Sequence, residues 1–294
     1  MVAVLSDKPE LREQFCKSNG TEVANGEMTF YNATLGNKTS SLIEPTAYPD
    51  KIQPLLYSLS IADYAILIVD VLTPKIGELI VALDSLQIEN GIIVSNVQLP
   101  VKGTVLEKYE TVADMTIAKE KLNAGNLMSG TGNNAFALVD KTNAVPSIGN
   151  VAHTFIKVGK IKKHDKLLVL PEKKEIEIRS IRINGNEVEE ANAGTRCEVA
   201  YRGDLFERGL LVPLRNEYQV ENIVNGRFKR SPFFKDEIKG RVHAYTNMQF
   251  LEGTVTENDF TLLNPLAFEK GETILVVDAS NQKLRIAGVF QSKW

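Results

Sequence analysis

The chain has 294 residues, 43% of them apolar and 24% charged, enough for two or three domains with sizeable cores and the composition of an ordinary globular protein. Its net charge of −3 hides an asymmetry: residues 1–122 carry 10 Lys+Arg against 16 Asp+Glu, and the remainder carries 24 against 21, which points to modules of opposite sign but excludes a strongly basic nucleic-acid coat. No apolar run is long enough for a helical membrane span, and Cys16 and Cys197 are too isolated for a disulfide framework or a Cys-x-x-Cys metal site.

The chain opens "MVAVLSDKPELREQF": a strand over Met1–Leu5, a polar turn from Ser6 to Glu10, then a helix. A strand feeding a helix through a tight turn is a common phosphate-binding arrangement, but it needs glycines whose N–H groups close on the anion. This turn has none, and it holds two carboxylates. Thr29–Leu35 reads as an antiparallel edge strand and Ser41–Ile43 as another short strand. Ile52, Leu55, Leu56 and Leu59 then fall on one helical face, with Pro54 confined to the first turn. "YAILIVD" is a strand buried on both faces, as in a parallel sheet. Ile76, Leu79, Ile80, Leu83 and Leu86 repeat the helical spacing, and "GIIVS" supplies the next buried strand. Residues 1–122 are therefore expected to form an α/β layer with a mostly parallel sheet.

"NAGNLMSGTGNN" lacks any hydrophobic period, so residues 123–134 are expected to be a linker. Beyond Ala135 the period becomes two, with turn residues every eight to twelve positions, the pattern of all-β barrels. Ile176 and Ile178 alternate in one phase and Ile181 and Ile183 in the other, so a β-bulge is expected near Arg179–Ser180. Asn184-Gly185 marks a hairpin turn. One barrel is expected over 135–213 and a second over 214–294.

This layout resembles the elongation factor Tu superfamily of translational GTPases, most closely the archaeal SelB-like factors and their pyrrolysine-associated branch. "AYPDKIQPLLYSLSIADYAILIVD" and "TPKIGELIVALDSLQIENGIIVS" resemble helix–strand pairs of the family's G domain. "GNVAHTFIKVGKIKKHDKLLVLP", "IEIRSIRINGNEVEEANAGTR" and "LFERGLLVP" resemble its first barrel, and "KLRIAG" the last strand of its second. The resemblance implies a nucleotide site whose residues have been replaced. Laid on the family's G-x-x-x-x-G-K-[ST] loop, the positions are Ser6, Leu11, Arg12 and Glu13. Leu11 adds bulk where backbone must approach phosphate. Arg12 keeps a charge of a different shape, and Glu13 puts a carboxylate where a hydroxyl would hold Mg²⁺. Glu44, Ala47 and Tyr48 stand at the metal-side Asp, the γ-phosphate glycine and the water-orienting His. Asn96 to Leu99 replace the guanine-reading N-K-x-D, and the strand expected at Glu110–Ala113 leaves room for only a reduced crossover after Asn96. No cofactor is expected.

For the barrels the resemblance implies tRNA or a ribosome-associated factor as partner, with Arg208-Gly209 near the pocket for the acceptor end of aminoacyl-tRNA. Lys162 and Lys163 in "KVGKIKKHDK" read either as phosphate contacts or as a solvated hairpin. In "RFKRSPFFK", Arg227, Lys229 and Arg230 with Phe228, Phe233 and Phe234 suit a single-stranded RNA end, or else are core phenylalanines with surface charges. His153, His164 and His243 show no ligand spacing, so no metal is expected. The basic-then-apolar layout of a secretory signal is missing at the N-terminus, which leaves a cytoplasmic location as the expectation. Tyr48, Asp63 and Asp70 form no recognisable nucleophile–base pair, so no catalytic residue is expected. Three functions stay open: a translation factor-like protein without a nucleotide cycle, a protein-interaction module whose acidic first domain docks a partner, or a divergent GTPase using Lys8 or Arg12 as its lysine.

Overall fold

The computed structural model describes residues 1–36, 38–124 and 135–293. Contacts divide the chain into two compact units. The first comprises Met1–Leu127, Phe228–His243 and Leu275–Phe290; the second comprises Met128–Arg227, Ala244–Ile274 and Gln291–Trp294.

The N-terminal part of the first unit is a seven-stranded sheet. Its strands are β1 (Val2–Leu5), β2 (Thr21–Ala24), β3 (Thr29–Leu35), β4 (Lys38–Glu44), β5 (Tyr64–Val69), β6 (Gly91–Ser95) and β7 (Glu110–Val112), in the order β2-β3-β4-β1-β5-β6-β7. β1 runs parallel to β4 and β5, and β5, β6 and β7 continue in parallel. β2 and β3 are the antiparallel additions. The run "YAILIV" is buried almost throughout because helices cover both faces. One expectation is corrected here. Thr29–Leu35 is not an edge, because β2 pairs outside it; β2 is short and exposed, with no alternation to announce it.

Helix α1 (Pro9–Asn19) starts directly after the turn. α2 (Gln53–Ile61) keeps Pro54 in its first turn as expected, and α3 (Pro74–Ser85) is capped by Thr73, whose Oγ1 accepts from Ile76 N at 3.2 Å. The crossover after β6 is reduced to one 3₁₀ turn at Val105–Lys108. Helix α4 (Met115–Ala124) has no counterpart in the sequence reading; Asp114 Oδ1 accepts from Thr116 N and Ile117 N, and Ala118 and Leu122 bury its inner face. The expected linker therefore does not begin at 123, because residues 123 and 124 finish this helix. Its residues 125–134 lie outside the described residues.

The first barrel uses β8 (Phe136–Val145), β9 (Gly149–Val158), β11 (Lys166–Leu170), β12 (Lys174–Ile183), β15 (Arg196–Arg202) and β16 (Gly209–Pro213), closed by pairing of β11 with both β16 and β12. The short strands β10 (Lys160–Lys162) and β14 (Glu190–Asn192) pair beside it, and β13 (Asn186–Val188) extends β12. The register between β12 and β15 shifts between Ile178 and Ser180, and this bulge lets Ile176, Ile178 and Ile181 all face the core. Asn184 and Gly185 take the two positive φ values of a tight hairpin turn, 50° and 81°. The second barrel is closed by β17 (Gln219–Arg230), β18 (Val242–Thr246), β19 (Gln249–Val255), β20 (Asp259–Phe268), β21 (Thr273–Val277) and β22 (Ile286–Ser292). No helix among the described residues is long and apolar enough to cross a membrane.

Candidate functional site

The carboxyl ends of β1 and β5 and the start of α1 meet where a doubly wound sheet would normally hold a ligand. Here the loop between β1 and α1 is only Ser6–Lys8, since Pro9, with its fixed φ, begins the helix. The helix thus begins inside the turn expected to run to Glu10, and Leu11, Arg12 and Glu13 lie within that helix. Leu11 packs against the sheet core. Glu13 is exposed and pairs with Lys17 one turn on, so its carboxylate does not face the loop. Ser6 is buried and its Oγ accepts from Lys8 N. The turn is closed further by Lys8 Nζ on Asp70 at 2.6 Å and by Thr73 Oγ1, which donates to Asp7.

Arg12 fills the space beneath this turn. Its side chain is fully buried, Nη1 donates to Ser6 O at 2.6 Å, and Nη2 donates to Tyr48 O at 2.8 Å and Thr46 O at 3.4 Å. Nε lies 3.6 Å from the Glu44 carboxylate, which also accepts from Tyr31 Oη. Burial pushes the Glu44 carboxyl up, and the Arg12 charge only partly offsets this; burial likewise lowers the Arg12 guanidinium. The N–H of Ala47 is already given to Glu27 O at 3.0 Å. Tyr48 is buried, its hydroxyl donating to Lys75 O at 2.9 Å and contacting Glu78 at 3.3 Å.

Sequence reasoning missed the other half of this network. Glu78 on α3 is wholly buried and accepts from Arg285 through both the backbone N (2.9 Å) and Nε (3.0 Å), and from Nη2. The Arg285 guanidinium lies 5.6 Å from the centre of the Tyr48 ring and donates to Asp50 O at 3.4 Å. Burial would raise the Glu78 carboxyl, but the hydrogen bonds and charge of Arg285 hold it below the ordinary carboxylate range.

At the remaining nucleotide-loop positions, Asn96 is exposed and donates to Ala113 O at 3.2 Å, and half-buried Leu99 offers no carboxylate. A triphosphate with magnesium needs backbone N–H groups, a lysine-like cation and a hydroxyl or carboxylate facing the metal. The residues present supply a bonded N–H at Ala47, an arginine already shared among carbonyls, and a carboxylate paired with that arginine. They do not match the group.

On the first barrel, Arg208 donates to Asp140 through Nε (to O, 3.0 Å) and Nη2 (to Oδ1, 2.9 Å), pinning the chain before β16. Gly209 is needed for close strand approach: a Cβ there would lie 2.5 Å from Leu170 O. Lys162 and Lys163 pair with Glu190, Glu187 and Glu189 of the neighbouring hairpin, which favours the solvated-hairpin reading. A row with no signal in the sequence crosses three strands beside Arg208: Lys141 on β8, His153 on β9 and Glu198 on β15 stand opposite one another in register. Burial lowers the His153 imidazole, and Lys141 and Arg196 lower it further. On β17, Arg227 and Lys229 are exposed at alternate positions. Arg230 lies over the Phe234 ring and donates to Asp236 O, Phe234 is buried and Phe233 is exposed, so the phenylalanines divide between core and surface.

Against known proteins, no protein-family model matches the chain. It is 28% identical over 291 residues to an uncharacterized protein of Methanocaldococcus jannaschii, covering 93% of this chain and 94% of that protein. Among solved structures it matches translation elongation factor SelB of Methanococcus maripaludis bound to the GTP analogue GPPNHP, with a TM-score of 0.78 and 20% identity over 100% of this chain and 78% of that one. The apo form gives 0.76 and 19%, covering 79% of that chain. The fold is that of the SelB elongation factors. A bacterial selenocysteine-specific elongation factor matches equally well in shape, with a TM-score of 0.76 and 18% identity over 99% of this chain and 57% of that one. The SelB-like fold thus includes the α/β sheet and both barrels.

Proposed function

We propose that the protein is a translation-factor-like RNA-binding protein of the archaeal SelB-like type, nearest the pyrrolysine-associated branch, whose G-like domain has lost GTP and Mg²⁺. The observation that carries this reading is Arg12: its guanidinium, fully buried, gives Nη1 and Nη2 to the carbonyls of Ser6, Thr46 and Tyr48 and turns Nε towards Glu44. A phosphate entering there would have to expel a buried cation from its hydrogen bonds, and the N–H groups of Lys8, Ala47 and Tyr48 are already engaged. Lys8, the other candidate cation, is held by Asp70.

The barrels then perform the binding. Arg227, Lys229 and Arg230 offer exposed positive charge for a tRNA backbone, and Phe233 an exposed ring for stacking. The row Lys141, His153 and Glu198 beside Arg208 is the surface we assign to the acceptor end. With no nucleotide to order it, RNA binding is constitutive. The test is mobility shift of bulk tRNA at low salt, with and without GTP and Mg²⁺. We expect a shift that GTP leaves unchanged and added salt weakens; no tRNA or ribosome association at low salt would refute it.

A second reading, in which the first domain docks a protein instead, draws on Val71 and Leu72, exposed by 55% and 50% at the carboxyl end of β5. Co-purification of a protein partner without RNA would favour it.

A further inference from the structure

Residues 44–50 form a strap that is held from two sides within the first unit. From α1, Arg12 donates to Thr46 O and Tyr48 O and pairs with Glu44. From the loop between β21 and β22, Arg285 donates to Asp50 O, lies over the Tyr48 ring and is fixed by buried Glu78. Tyr48 joins the two arginines: its carbonyl serves Arg12, its ring faces Arg285, and its hydroxyl contacts the same Glu78. The amides are bonded too: Ala47 N to Glu27 O outside the strap, Tyr48 N to Pro45 O within it, and Lys51 N back to Ala47 O.

We propose that Arg12 and Arg285 act together as a permanent latch on residues 44–50, coupled through Tyr48, so that the strap keeps a single conformation without any ligand. The proposal rests on the nucleotide-loss reading above, because it names what orders the strap instead. An open strap would strip Arg12 of Thr46 O, Tyr48 O and Glu44, and Arg285 of Asp50 O and the Tyr48 ring, while Arg285 and Glu78 stay bonded to each other; leaving the buried Arg12 charge without its carboxylate is strongly destabilising. The opening is therefore rare, and the latch needs both arginines because each grips a different part of the strap.

Amide hydrogen exchange on the full chain tests this. In the natural protein the amides of Ala47, Tyr48 and Lys51 are expected to exchange within about tenfold of the β5 amides, with or without GTP and Mg²⁺. Arg12→Lys and Arg285→Lys are each expected to speed exchange over 46–51 by at least about tenfold while β5 changes less than about twofold. Together they should give less than the product of their separate effects, because both act through Tyr48. Should either lysine variant fail to fold, Tyr48→Phe removes only the hydroxyl and is expected to speed the same amides several-fold. Fast exchange of the strap in the natural protein, or variants that leave it unchanged, would overturn the latch. Protection that appears only on adding GTP would overturn both the latch and the nucleotide-loss reading, whereas fast exchange indifferent to GTP would overturn the latch alone.

Discussion

Replacing Glu78 by Gln isolates the charge of one buried group while nearly keeping its shape. Glu78 accepts three hydrogen bonds from Arg285 and a fourth contact from Tyr48, and neither ionic partner reaches solvent to any extent. Gln keeps one acceptor oxygen but turns an NH₂ towards guanidinium donors, leaving Arg285 buried and uncompensated. Breaking a buried pair from one side costs about 3–5 kcal/mol. At about 2–4 °C per kcal/mol for a cooperative unit of 150–250 residues, that lowers the melting temperature by roughly 6–20 °C. The pH dependence supplies the sharper check. Glu78 has a depressed folded pKa, so its stabilisation is complete above the unfolded carboxyl value of about 4.3 and is lost as pH falls through the lower folded value. Thermal melts followed by circular dichroism should therefore show a deficit for Glu78→Gln that is full at pH 7 and shrinks towards about pH 3. The pair Glu78→Leu with Arg285→Met, which removes both charges, should recover most of the loss. A single variant melting within about 2 °C of the natural protein at pH 7, or a deficit equal at both pH values, would refute the reasoning.

Titration with a fluorescent GTP analogue and Mg²⁺ should stay flat into the high micromolar range, since Arg12 and the bonded N–H of Ala47 leave no phosphate cradle; saturable binding would contradict this. Arg227→Gln with Lys229→Gln should weaken tRNA binding and reduce the slope of log affinity against log salt by about two, one for each phosphate no longer neutralised, measured by filter binding across a salt series. Gly209→Ala should destabilise the first barrel by about 1–3 kcal/mol in urea unfolding, because the new Cβ would sit against Leu170 O.

The parts of the fold that are legible in the sequence are those where burial imposes a period. The apolar runs of β5 and β6, the faces of α2 and α3, and the phase switch at Arg179–Ser180 each follow from which side chains must face a core. β2 carries exposed side chains, and α4 is short and only half apolar, so neither has a strong period to read. The motif alignment compares Arg12 with a phosphate-binding lysine and says nothing of its burial; yet Arg12, Phe15 and Cys16 share one buried helical face, and the spacing i, i+3, i+4 carries that signal. Glu78 is illegible for a different reason. It lies opposite the face of Ile76, Leu79, Ile80 and Leu83, where a carboxylate normally meets water, but α3 is buried on that side too, and its partner Arg285 lies 207 positions away.

The same distances bear on whether the strap could still switch. A factor driven by nucleotide needs two strap conformations close in energy, so that phosphate contacts can choose between them. Moving a population from 1:99 to 99:1 takes about 5.5 kcal/mol of differential binding. Here any ligand entering beneath Ser6 would first have to displace Arg12 from Ser6 O and Tyr48 O, and a strap that then moved would also draw Tyr48 and Asp50 away from Arg285. A hydrogen bond to a charged group is worth about 1.5–3 kcal/mol, so the ligand would have to replace that energy for each such bond broken in addition to the switching energy. With Glu13 turned outward and Leu99 offering no acceptor for a base, little remains at the site from which to draw it. On the proposed reading, control over partner binding falls to the barrel surfaces themselves, through salt, competing RNA or the charge of the His153 row.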